Sequence, residues 1–297
     1  MAVINFGSIN IDHVYQVDHF VQPGETLASS HYQQLLGGKG ANQSIALAKA
    51  GVEVKHVGRI HESDASFKQT MIKAGIDCKY VACTQTPTGH AIIQVTPEGE
   101  NSIVLFGGAN QELTDQDILR ALDSASDNDW VLTQNETSGI EQVLRQAKDK
   151  GLKVAFNPAP MTESVKSLPH NCIDLLIVNE VEAAEIAGCE ALDEMESYFR
   201  THWPHAEILI TLGKAGVRML RKDESIDVPA FLVDAVDTTA AGDTFIGFFL
   251  SSYTKEHDAK TALTRACAAS ALAVTRVGAA QSIPEIAEVN DFLKKQM

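Results

Sequence analysis

Short apolar runs recur along the first two-thirds of the chain, with segments of helical spacing between them. Residues 3–6, 53–57, 131–133, 153–156, 175–178 and 207–211 read as strands, rich in Val, Ile and Leu and bounded by polar turns. Residues 41–50, 67–74, 140–149 and 181–187 carry apolar side chains at helical spacing. This alternation admits few folds. Strands joined through helices run parallel, the crossovers are right-handed, and helices must cover both faces of the sheet. The pattern predicts an α/β fold with a mostly parallel sheet and ligands gathered at the C-terminal ends of its strands.

Two stretches break the rhythm. Residues 14–36 alternate apolar and polar side chains without a helix, and residues 91–106 read as two strands around a Pro97-Glu98-Gly99 turn. They predict a small antiparallel sheet outside the main one, a lid built from about residues 12–36 and 88–107. The final third turns helical, over 242–252 and 259–275. With no repeat and no linker, the chain reads as one domain over residues 1–297.

Charge narrows the partners. Lys and Arg number 24 against 39 Asp and Glu, a formal charge of -15, so nucleic acid and anionic membrane are disfavoured. Charges interrupt every apolar stretch well short of a membrane span, and residues 1–6 lack the shape of a signal peptide. The five cysteines (Cys78, Cys83, Cys172, Cys189, Cys267) are odd in number and show no CxxC or zinc-ribbon spacing, which fits a reducing cytoplasm. The ten histidines show no ligand spacing either.

The sharpest local feature is Asp237-Thr238-Thr239-Ala240-Ala241-Gly242-Asp243-Thr244-Phe245, which opens an apolar helix. Small side chains at Ala240, Ala241 and Gly242 let backbone amides approach an anion at the positive end of that helix. Asp243 in the first turn can accept a proton from an attacking hydroxyl, or simply act as the helix N-cap. The second feature, Gly37-Gly38-Lys39-Gly40-Ala41-Asn42, is neither a Walker A loop nor a Rossmann turn. It can present Gly38, Lys39 and Asn42 to a polyhydroxy ligand, or serve as a plain strand-to-helix turn. Gly7-Ser8-Ile9-Asn10-Ile11-Asp12 places Asn10 and Asp12 on one side, an amide and a carboxylate suited to vicinal hydroxyls. Asn179 and Glu182 form a capping box, Gly213 to Gly216 turns between two strands, and Glu136 follows a strand end.

Together with Asn-Pro-Ala-Pro at 157–160 and Ala-Val-Thr-Arg-Val-Gly-Ala at 273–279, these segments resemble the ribokinase family of carbohydrate kinases from Gly7 to about Ser282. The resemblance implies a three-layer α/β/α sandwich of about nine strands with a small β-sheet lid that also forms a homodimer contact. It implies ATP-dependent phosphorylation of the 5-hydroxyl of D-ribose. Another small sugar (2-deoxyribose, fructose), a nucleoside, or a non-catalytic sugar or nucleotide sensor are the alternatives, and an acidic interaction module is a further one. Asp243 is then the general base, and Ala240, Ala241 and Gly242 the anion hole. Asn10, Asp12, Gly38, Lys39, Asn42 and Glu136 hold the sugar. Asn179, Thr211, Leu212, Gly213, Lys214, Ala215, Gly216 and Gly242 meet the nucleotide, and Cys267 stands near the adenine where Asn or His is common. Glu182 organises Mg²⁺ through water. Asp237, Thr239, Ala273, Arg276, Gly278 and Ser282 ring an activating K⁺.

The chain departs from the family pattern at four places. Ile60-His61-Glu62-Ser63-Asp64 replaces a Gly-Asp-Asp-type stretch in a sugar-side loop, His90 stands where a small apolar residue is common, and Phe248 and Cys267 replace residues of other character.

Overall fold

A computed structural model describes residues 1–222 and 224–296. Thirteen strands are present among them: β1 (Ala2–Phe6), β2 (Asn10–Gln16), β3 (His31–Gly37), β4 (Glu53–His61), β5 (Asp77–Thr84), β6 (Gly89–Val95), β7 (Asn101–Phe106), β8 (Trp130–Gln134), β9 (Lys153–Asn157), β10 (Leu175–Asn179), β11 (Glu207–Thr211), β12 (Val217–Arg221) and β13 (Glu224–Val228). The α-helices are α1 (Lys39–Lys49), α2 (Ala65–Lys73), α3 (Asp115–Leu122), α4 (Ile140–Asp149), α5 (Glu180–Ala187), α6 (Leu192–His202), α7 (Ala241–Glu256), α8 (Ala259–Val274) and α9 (Ile286–Gln296).

Nine strands form the main sheet in the order β13-β12-β11-β10-β9-β8-β1-β4-β5. Every pair from β11 to β5 is parallel, and β12 and β13 add an antiparallel edge. Strand pleat divides the core in two. In β1, Val3 faces one cluster with α1, α2, α7, α8 and α9, whereas Ile4 and Phe6 face another with α3 to α6. The three layers expected from the resemblance are therefore present.

The main-sheet strands and the central helices fall where the spacing places them. β4 is longer than expected, running on to His61, and α7 continues to Glu256. β5, β13, α3, α6 and α9 escape the sequence reading.

The smaller sheet has the order β3-β2-β6-β7. Its outer pairs are antiparallel, but β2 and β6 run parallel, so the sheet is mixed rather than antiparallel. The reason is topological. β2 follows β1 and β6 follows β5, and both leave the same C-terminal edge of the main sheet, so they start in the same direction.

α1 and α7 approach closely enough to carry the centre of the site. A Cβ added at Gly247 would meet the Cβ of Ala46 at 2.3 Å, so only glycine lets the helices cross this tightly. Phe248, the next residue, is fully buried in the core beside it.

Candidate active site

Five neighbouring parallel strands end along one rim. β1 leads to Ser8, β8 to Glu136, β9 to Asn157, β10 to Asn179 and β11 to Thr211. Above this rim lies a groove of about 220 Å³ that Lys39, Asn157, Asn179, Glu182, Thr211 and residues 240–243 help to line. The sequence thus brings Asp243, the small-residue loop, Lys39, Asn179, Glu182 and Thr211 to one cavity.

Asp243 is not the helix cap. Ala240 takes that position in left-handed geometry (φ 59°), and no side chain caps the helix. A residue with a Cβ held there costs of order 1 kcal/mol, strain of a kind that clusters at functional sites. The first-turn amides of α7 lack intrahelical acceptors, so this end is suited to an anion. Asp243 sits within that first turn, and its carboxylate accepts from Asn42 Nδ2 at 3.1 Å and Gln43 Nε2 at 2.9 Å. Protein atoms surround the carboxyl closely while the residue keeps some surface toward the groove. Burial raises its pKa, against which the Lys39 charge and the two amides favour the ionised form.

The residues expected to hold the sugar form a second group around Glu136. Its carboxylate accepts from Ser8 Oγ and, at 3.0 Å, from the Lys39 amide, which ties the glycine loop to β8. Burial raises the Glu136 pKa despite these donors. Burial, and then the Glu136 charge, push Asp12 up to about 6. The Asp12 carboxyl lies against the backbone of Gly37, where any Cβ would meet it at 2.0 Å. Asn10 Oδ1 accepts from Asn110 Nδ2 at 2.7 Å, and Asn110 Oδ1 in turn accepts from the Ile9 amide at 2.9 Å. Asn110 comes from a short 3-10 turn a hundred residues away, and no local pattern in the sequence marks it. Asn42 Oδ1 is buried with no partner, an acceptor available to a hydroxyl.

Among the residues expected to meet the nucleotide and its metal, Asn179 and Glu182 close the expected capping box at 2.8 and 3.0 Å. Burial raises the Glu182 pKa. Leu212 to Gly216 form the turn from β11 to β12, with Gly213–Ala215 as a 3-10 turn. Cys267 is not among the residues that line the groove. It is buried in α8 within the core, and burial pushes its thiol up to about 12.

Asp237 ties two C-terminal segments together. It accepts from the Thr239 amide and the Gly278 amide, both at 2.8 Å, and Val274 O accepts from the Val236 amide at 2.7 Å. Burial raises the Asp237 pKa, but these hydrogen bonds outweigh it and hold the carboxyl low. Arg276 pairs with Glu288 at 2.5 Å, and Ser282 is fully buried. Among the described residues no three His, Cys, Asp or Glu side chains are grouped to hold a metal.

The departing residues lie elsewhere than expected. His61, Ser63, Asp64 and His90, with Ile11 and His13, line a separate cavity of about 310 Å³. Ile11 and His13 alternate with Asn10 and Asp12 along β2, so this cavity is on the opposite face of the small sheet from the Asp12 carboxyl. These residues do not form the wall that carries Asp12.

Known proteins with the same organisation are extensive. The sequence profile of the pfkB family carbohydrate kinases matches residues 2–286. The chain is 39% identical to a ribokinase of Haemophilus influenzae over 300 residues, covering 97% of both chains. A crystal structure of ribokinase from Thermotoga maritima superposes with a TM-score of 0.87 at 34% identity over 99% of both chains. A structure of Arabidopsis thaliana ribokinase complexed with ribose and ATP gives a TM-score of 0.86 at 28% identity, again over 99% of both. The chain belongs to the pfkB family of carbohydrate kinases.

Proposed function

We propose that the chain transfers the terminal phosphoryl of ATP to the 5-hydroxyl of D-ribose. The observation that carries this reading is the placement of Asp243: a carboxylate at the N-terminus of α7, held by two amide donors, at the rim shared by the groove and the Glu136 group. Asp243 takes the proton of the attacking hydroxyl. The amides around Ala240, Ala241 and Gly242 face the charge that develops on the transferred group, and positioning supplies most of the remaining rate. Asp12, Glu136, Asn10, Lys39, Asn42 and the Gly38 backbone offer a polyol partners for several vicinal hydroxyls. The nucleotide lies along Asn179, Thr211 and the 212–216 turn. A sensor has no need of the base, and its retention argues against that alternative.

Mg²⁺ fits the groove through Glu182 and water. The donor set is right for it, because this ion usually keeps several waters and binds one or two carboxylates plus phosphate oxygens. When bound it neutralises phosphate charge. K⁺ fits the C-terminal crossing, where Asp237 and Gly278 are joined and the carbonyl end of α8 contributes partial negative charge. Asp237, Thr239, Ala273, Arg276, Gly278 and Ser282 would hold it, mainly through backbone oxygens.

The small sheet serves as lid over the sugar and as contact between two copies. On β7, Ile103, Val104, Leu105 and Phe106 are between 48% and 65% exposed on an edge strand that pairs with β6 on one side only, a surface that asks for a partner. Among the described residues no helix is long and apolar enough to cross a membrane, and all five cysteines are free, which supports a cytoplasmic location.

The test is ADP release from ATP and Mg²⁺ with and without D-ribose. Ribose-dependent release by the wild type, lost in Asp243→Asn, is expected. Ribose-independent release, or equal turnover in the variant, would contradict the reading.

A further inference from the structure

We propose that Gln43 is a positioning residue: it delivers a single amide donor to Asp243 and is locked in that orientation by a buried polar chain running back to His56. The proposal rests on the general-base reading of Asp243 given above.

Gln43 is fully buried on α1, and three neighbours decide which way its amide points. Its Oε1 accepts from Gln134 Nε2 at 2.7 Å. Its Nε2 donates to Asp243 Oδ1 at 2.9 Å and to Asn157 Oδ1 at 3.3 Å. Turning the amide over would set its oxygen against the Asp243 carboxylate and the Asn157 oxygen, and its NH₂ against that of Gln134. All three contacts become repulsive.

The neighbours are themselves fixed. Asn157 Nδ2 donates to Ile177 O at 2.9 Å, which leaves its oxygen toward Gln43. Gln134 Nε2 also donates to Asn5 Oδ1 at 3.0 Å. Asn5 Nδ2 donates to Gly40 O at 2.9 Å and Ser44 Oγ at 2.8 Å. Ser44 Oγ lies 2.8 Å from His56 Nδ1, and His56 Nε2 lies 3.1 Å from Gly7 O. Burial holds His56 down at about 4, so the ring is neutral. A carbonyl only accepts, so Nε2 carries the proton and Nδ1 accepts from Ser44. Every link between Gly7 and Asp243 thus has an assigned donor, and the bonds run outward from Gln134, through Asn5, Ser44 and His56 to Gly7 O and through Gln43 to Asp243. Gln134 Oε1 is buried without a partner, so Gln134 is held by the two bonds that its NH₂ donates, while the other members specify one another.

The consequence concerns the charge on Asp243. Burial disfavours the carboxylate, and Lys39, Gln43 and Asn42 favour it, while Glu136 is the charged group on the opposite wall. Asn42 is the weaker support, since its bond to Asp243 is longer, 3.1 Å against 2.9 Å from Gln43. Removing the Gln43 donor leaves the base harder to ionise.

The test compares wild type with Gln43→Leu, Gln43→Glu and Gln134→Leu. The acid limb of kcat/KM for ribose should move to higher pH by about one unit in Gln43→Leu. It should move further in Gln43→Glu, which adds a second carboxyl, and less in Gln134→Leu, which only unlocks the amide. The loss should fall on kcat, with KM for ATP within about twofold of wild type. The same ordering should appear in the Asp243 carboxyl titration followed by ¹³C NMR, assigned by its absence in Asp243→Asn. That titration needs no turnover, so it stands even if the wild type fails to phosphorylate ribose. An Asp243 titration unchanged in both Gln43 variants, or activity reduced equally at every pH, would overturn the proposal.

Discussion

Gly247 of α7 packs on Ala46 of α1 so closely that a Cβ would sit 2.3 Å from the alanine methyl. One turn earlier on each helix stand Asp243 and Asn42, hydrogen-bonded at 3.1 Å. The helix crossing therefore sets the reach between the base and its donors. Gly247→Val should overpack the contact, costing about 1–3 kcal/mol of stability. It should lower kcat beyond what reduced stability explains at a temperature where the variant is folded. Thermal unfolding together with turnover measures both. Unchanged turnover in a destabilised variant would mean that the crossing supports the fold alone.

Asp243→Asn should cut kcat by roughly 10²–10⁴, the usual worth of a positioned general base. Its fold should survive because the carboxylate does not cap α7, whose cap position belongs to the Ala240 backbone. Melting temperature and kcat decide this. Near-normal turnover would remove Asp243 from its role.

Asp12 should make the unliganded protein less stable as pH rises. Its folded pKa of about 6 lies above the usual 3.8, so the folded state holds a proton that the unfolded chain has released. Stability from this group falls between those two values and is constant above them. Asp12→Asn should be more stable than wild type at pH 7.5, with the gap closing by pH 4, while its KM for ribose rises strongly. Melting curves at the two pH values check it. A variant no more stable at pH 7.5 would show that Asp12 carries no such strain.

Activity should rise when K⁺ replaces choline, and Asp237→Ala should abolish the rise by releasing Gly278 from the 237–239 loop. Initial rates across KCl and choline chloride at constant ionic strength read it directly. Equal rates in the two salts would leave the C-terminal crossing as an ordinary turn.

The alternation of strand and helix was legible because several main-sheet strands are continuous apolar runs bounded by polar turns, as in residues 175–178 and 207–211. The mixed small sheet was not, because alternation marks a strand but not its partner or direction. Asp243, Lys39, Asn179 and Glu182 stand at strand or helix ends within recognisable turns. Gln43 was hidden inside α1 beside the quoted Asn42, and Asn110 in a short turn far along the chain. Their roles arise from contacts about one hundred and two hundred residues apart, which no local spacing records.

The central claim is that the Asp12, Glu136, Asn10 and Asn42 group is built for a small polyol bearing several vicinal hydroxyls. A site that bonds a hydroxyl rejects the analogue lacking it, because its own buried groups are left unpaired. The most direct measurement is kcat/KM for D-ribose, 2-deoxyribose, fructose and adenosine in a coupled ADP-release assay with the unmodified protein. D-ribose should be highest and adenosine lowest, since carboxylates and amides make a poor bed for a purine face. If 2-deoxyribose or fructose is phosphorylated more efficiently than ribose, the ribose assignment fails while the sugar-kinase assignment stands.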